Sequence, residues 1–72
     1  MLYVGQRLYG YCGGYFGRGS YDDKRIEAFG VDWVVAREDS GEVVFARDDR
    51  GETGRVHQIL AEYTEPPREG GL

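Results

Sequence analysis

Val31-Asp32-Trp33-Val34-Val35-Ala36-Arg37, Glu38-Asp39-Ser40-Gly41 and Glu42-Val43-Val44-Phe45-Ala46-Arg47 form the continuous stretch that decides the fold. Its two flanks are β-branched and aromatic, the composition of strands. The four residues between them are polar and end on a glycine, placed where a tight connection demands a positive φ. The stretch reads as a β-hairpin. In its first arm Trp33 and Val35 share one face and Val34 and Ala36 the other, because successive strand side chains alternate. Both faces are therefore apolar. This predicts a strand covered on both sides, as in the middle of a closed or strongly curved sheet, with Trp33 as a core aromatic.

Upstream, Lys24 to Phe29 alternates charged and apolar residues, with Ile26 and Ala28 on one side and Arg25 and Glu27 on the other, the pattern of a half-buried strand ended by Gly30. Leu2 to Cys12 is rich in tyrosine, valine and leucine and reads as another strand, with Gly5 and Gly10 marking a bend or bulge. Gly13 to Ser20 is a glycine-rich loop. Downstream, Val56, Ile59, Leu60 and Tyr63 fall at i, i+3, i+4 and i+7, a helical stripe with Thr53 placed as N-cap and Pro66-Pro67 as the stop. The chain therefore reads as a single mainly β domain over residues 1–63, a small curved antiparallel sheet or SH3-like barrel with one short C-terminal helix. Residues 64–72, with two prolines and two glycines, read as a disordered tail.

The totals limit how such a domain is stabilised. At 72 residues the core is thin, since a chain of about 60 residues buries only roughly 60% of its unfolded surface. Cys12 is the single cysteine and His57 the single histidine, so neither an intrachain disulfide nor a four-ligand zinc site is expected, and packing or self-association must carry stability. No stretch resembles a secretory leader or a membrane span, which makes the cytoplasm the expected compartment. The net charge of −4 is uneven: residues 1–37 balance at +1 and residues 38–72 at −5.

The order Val4-Gly5-x-Arg7-Leu8-Tyr9, glycine-rich loop, Arg25-Ile26-Glu27-Ala28, then Asp32-Trp33-Val34-Val35 and its hairpin resembles SH3-like and KOW-like small barrels. Eight arginines against one lysine, no asparagine and the short length also resemble small orphan proteins of actinobacterial phages, and imply an accessory protein of the host cytoplasm acting on a host component. Neither resemblance supplies a motif whose functional residues transfer.

The chemistry-bearing residues point to binding and away from catalysis. Tyr9, Tyr11, Tyr15, Phe16 and Tyr21, with Arg18 among them, are the types enriched at binding hot spots, and they cluster in and beside the glycine loop. They are the candidate contacts for a protein partner; covering an open sheet or plugging a thin core is the other role open to them. Stacking on unpaired bases with Arg7, Arg18, Lys24 and Arg25 on the backbone is an alternative, against which the net acidity counts. Glu38, Asp39, Glu42, Asp48, Asp49 and Glu52 could imitate a phosphate array. A self-assembling structural protein, closing sheet edges in a homo-oligomer, is a further alternative. Gly14-x-x-Gly17-x-Gly19 has the wrong order for a phosphate loop. His57 reads as a solvated helical histidine, Cys12 as a small hydrophobe, and Asp22-Asp23 and Asp48-Asp49 lack calcium-loop spacing. No catalytic residue, cofactor or metal is expected, and no membrane contact.

Overall fold

The computed structural model describes residues 1–66. Four antiparallel strands, β1 (Arg7–Leu8), β2 (Lys24–Gly30), β3 (Trp33–Glu38) and β4 (Val43–Arg47), form one sheet in sequence order, followed by a short helix α1 (Arg55–Leu60) that runs on into a 3-10 turn at Ala61–Tyr63. The domain is mainly β, and of the two expected architectures it is the open sheet: β1 and β4 remain edges and do not meet.

The hairpin between β3 and β4 forms where the sequence places it. Glu38 and Glu42 close the loop through Glu38 N–H to Glu42 O at 2.7 Å, Gly41 N–H returns to Glu38 O at 2.8 Å, and Gly41 adopts φ 104°. Only glycine takes that conformation without strain. β1 is much shorter than the Leu2 to Cys12 strand expected. Gly5 and Gly10, at φ 92° and 76°, turn the chain out of the ladder on either side of Arg7–Leu8.

A bulge between Ile26 and Ala28 corrects the alternation expected in β2: Ile26 lies opposite Ala36, whereas Ala28 lies opposite Val35. The two residues therefore face opposite sides of the sheet. A bulge inserts one residue and flips all that follow, which here turns Phe29 to the helix side. The inner face carries Leu8, Ile26, Val34, Ala36 and Ala46, and the core is completed by Leu2, Cys12, Phe16, Val56 and Leu60 from the segments folded beneath it. Among the described residues, no layer covers the outer face. Trp33 is only half-buried there, lying across Gly30, where an added methyl group would overlap its indole ring. The expectation of a doubly covered strand with Trp33 in the core is thus corrected: the described segments outside the sheet, with Leu2, Cys12, Phe16, Val56 and Leu60, all pack on the inner face.

Helix α1 buries Val56 and Leu60 and half-buries Ile59 and Tyr63, the stripe read from the sequence. Its cap differs from expectation. Gly54, at φ 82°, holds the N-cap position, and the free amides of Gly54 and Val56 donate to the two carboxylate oxygens of Asp48 at 2.8 and 2.6 Å. Thr53 stays exposed. A carboxylate outbids a hydroxyl here because it accepts both bonds at once and adds charge at the helix's positive end. His57 is half-buried, contrary to the solvated reading: its Nε2 donates to Gly30 O at 2.6 Å and its ring meets Phe29 edge-on. Of the expected tail, Thr64 to Pro66 are described, with Thr64 Oγ1 donating to Ala61 O at 3.0 Å, and residues 67–72 lie outside the described residues.

Candidate functional site

The glycine-rich loop between β1 and β2 is tied down by two successive residues of β2's entry. Asp23 accepts the N–H of Gly10 at 2.8 Å, and Lys24 donates Nζ to Gly10 O at 2.7 Å and to Ser20 O at 3.2 Å. Lys24 is fully buried, its ammonium 5.2 Å from the centre of the Phe16 ring. A buried ammonium is tolerated only where carbonyls and π-faces replace its water. Glu38, also buried, accepts Ser20 Oγ at 2.6 Å. The loop is therefore held at both ends. Cys12, Gly13 and Gly14 take positive φ in succession, 54°, 67° and 82°, which folds the loop back under the sheet.

This geometry decides where the six loop candidates stand. Phe16, 6% exposed, belongs to the core, and Tyr15 packs against it. Tyr9 is half-buried beneath the Arg7 guanidinium, 5.7 Å from its ring centre, and donates its N–H to Tyr63 O. Tyr11 and Tyr21 stack on each other at 4.6 Å with planes 14° apart, leaving Tyr21 exposed, and Arg18 is exposed. Of the six, the structure stacks Tyr11 with Tyr21, commits Phe16 and Tyr15 to the core, and leaves Arg18 exposed. Most of their aromatic area faces the molecule itself.

The charged candidates are similarly divided. Of the four basic groups offered for a nucleic-acid backbone, Lys24 is buried and Arg7 is held by Asp39 in a two-pronged pair at 2.9 and 3.3 Å. The Arg7 guanidinium bonded to Asp39 holds that carboxyl below its ordinary value, and Asp39 in turn raises Arg7. Of the six acidic groups offered as a phosphate mimic, Glu38 and Asp48 point inward. Cys12 is buried, its thiol directed to Gly10 O at 3.4 Å, and burial pushes its pKa up, away from nucleophilic reactivity.

A second exposed surface, which the sequence does not single out, is the outer face of the sheet. The strand register lays it out in three rows: Arg7, Arg25, Arg37 and Val43; then Ala28, Val35 and Phe45; then Gly30, Trp33 and Arg47. An apolar band thus runs between arginines. Phe45 is 51% and Val43 48% exposed, beside half-buried Trp33 and Val35. Arg37 is braced in place by Glu27 at 2.6 Å and by Gly41 O at 2.8 Å.

The face ends on an unpaired edge. Glu38 N–H bonds to Glu42 O and Asp48 N–H to Asp32 O, so the even-numbered residues of β4 exchange bonds with β3. In an antiparallel ladder the intervening residues point their amides away. Val43, Phe45 and Arg47 accordingly offer N–H and C=O outward, with no hydrogen-bond partner among the described residues. The signal was present in the alternation of Val43, Phe45 and Arg47 with Val44 and Ala46, but alternation cannot tell a covered face from an open one.

No family model, curated protein or solved structure matches this chain. Among the described residues, no helix is long and apolar enough to cross a membrane.

Proposed function

We propose that the chain is a small protein-interaction module whose contact surface is the outer face of its sheet, with Trp33, Val35 and Phe45 as apolar anchors and Arg25, Arg37 and Arg47 around them. The observation that supports this reading is the row of uncovered apolar side chains on a rigid four-stranded sheet, bordered by arginines. Tryptophan, aromatic residues and arginine dominate binding energies at protein interfaces, and fully covering a phenylalanine or similar side chain is worth roughly 1.5–3 kcal/mol. The tyrosine loop serves this surface indirectly, by closing the core beneath it.

The same face offers rings for base stacking, so nucleic acid is the second reading. It is the weaker one: Arg7 and Arg37 are already neutralised by Asp39 and Glu27, and the chain carries a net charge of −4.

Affinity capture with the tagged chain, with and without nuclease, tests both. The expected outcome is a nuclease-resistant protein partner retained by Tyr21→Ala and lost by Phe45→Glu. A partner that disappears with nuclease moves the function to nucleic acid. A partner lost by Tyr21→Ala and kept by Phe45→Glu moves the site back to the loop.

A further inference from the structure

We infer that β4 is a two-fold seam, along which a second copy of this chain adds its own β4 antiparallel and joins two sheets into one of eight strands. The inference goes beyond the proposed function, since the outer face remains free in such a dimer and is doubled in length.

The edge itself points to a strand as occupant. Natural edge strands are blunted by charged side chains, lysine above all, by proline, by a bulge or by extreme shortness. β4 holds neither lysine nor proline, its register with β3 is unbroken, and its one charge, Arg47, stands at its last residue, leaving Val43 and Phe45 uncharged along the edge. The opposite edge, β1, is two residues long.

The sequence of the edge points to a second copy. The three outward residues are evenly spaced about Phe45, so a two-fold axis there sets Phe45 against its mate and Val43 against the partner copy's Arg47. About six backbone bonds close across the seam, one donor and one acceptor from each outward residue of each copy. The side-chain pairs suit this register. Aromatic on aromatic is a favourable cross-strand pair, and an arginine stem lies well along valine. The flanking acids do not oppose it: Asp48 would face Glu42 of the second copy, but its carboxylate is turned inward onto the Gly54 and Val56 amides. On the outer face the row Ala28, Val35, Phe45 continues directly into Phe45, Val35, Ala28 of the second copy. Two half-open apolar bands become one.

Sedimentation of the purified chain and cysteine trapping test the seam. The parent should sediment as a species of twice its 8.1 kDa mass, dissociating on dilution. Phe45→Pro removes the outward N–H together with the ring that meets its mate, leaves the backbone bonds to β3 in place, and should raise the dissociation constant at least about tenfold with the thermal melt still cooperative. Under glutathione disulfide, Phe45→Cys should cross-link to itself. Val43→Cys and Arg47→Cys should cross-link when mixed and not separately, and Ser40→Cys, at the exposed hairpin tip, should not. A parent that sediments as a monomer up to millimolar concentration overturns the seam, as does Ser40→Cys cross-linking as fast as Phe45→Cys. A monomer that still captures a partner through Phe45 overturns the seam alone; a dimer that captures nothing overturns the proposed function alone.

Discussion

Lys24 is the side chain from which the glycine-rich loop hangs. Its ammonium satisfies the carbonyls of Gly10 and Ser20 inside the protein, so Lys24→Met keeps the stem but leaves both acceptors without a donor. Each orphaned buried group is worth about 1–3 kcal/mol, and the variant should lose about 2–4 kcal/mol, read as a lower urea midpoint with unchanged slope. Asp39 makes a pH-dependent contribution of known sign. Its carboxyl is held below the ordinary value by the hydrogen bond from Arg7, so its stabilisation is complete above the unfolded pKa of about 4 and lost as pH falls through the lower folded one. Asp39→Asn should narrow the difference between the melting temperatures at pH 7 and pH 2. Equal differences in parent and variant would contradict it. Single residues were also where sequence reasoning lost most. On sequence alone Lys24 is a candidate contact for a nucleic-acid backbone, and its burial is not legible there, because its carbonyl partners come from a loop whose path depends on left-handed residues at Cys12, Gly13 and Gly14.

Elements with local signals were legible. The hairpin was written in Glu38-Asp39-Ser40-Gly41, and the stripe Val56, Ile59, Leu60, Tyr63 carries α1 onto the core as its spacing requires. Features set at a distance were not. The bulge that turns Ala28 outward is a one-residue slip that brings Phe29 edge-on to His57, a residue far along the chain, and the helix cap comes from Asp48, six and eight residues before the amides it accepts. Because six residues make a marginal helix, that cap matters more than propensity. Asp48→Ala should therefore destabilise the protein by about 1–3 kcal/mol, with loss of helical ellipticity before the sheet melts. Thr53→Ala should change neither. At the opposite surface, Trp33→Ala truncates a half-buried ring and should lower stability by about 1–2 kcal/mol, well short of the roughly 3–5 expected of a core aromatic. Failure of Trp33→Ala to melt cooperatively would return the indole to the core.

The whole molecule is a single layer of sheet with one covered face. A chain of 72 residues spends its loop, its helix and its N-terminal Leu2 on the inner face, and nothing among the described residues is left for the outer one. Mainly β class and strand order followed from the run of patterns along the chain. Openness did not, since Trp33 and Val35 are equally apolar whether covered by the same chain or by another. The functional reading rests on the outer face and the second copy on the β4 edge, and the openness of the sheet at that edge comes down to one geometric fact, that alternate amides of β4 are unpaired. Residue-resolved amide hydrogen exchange reads this directly. In dilute protein Val44 and Ala46 should be protected while Val43, Phe45 and Arg47 exchange freely, and the latter three should gain protection as concentration rises and the seam closes. Protection of all five in protein that sediments as a monomer would mean that the edge is covered within the chain, and would contradict both the open sheet and the seam.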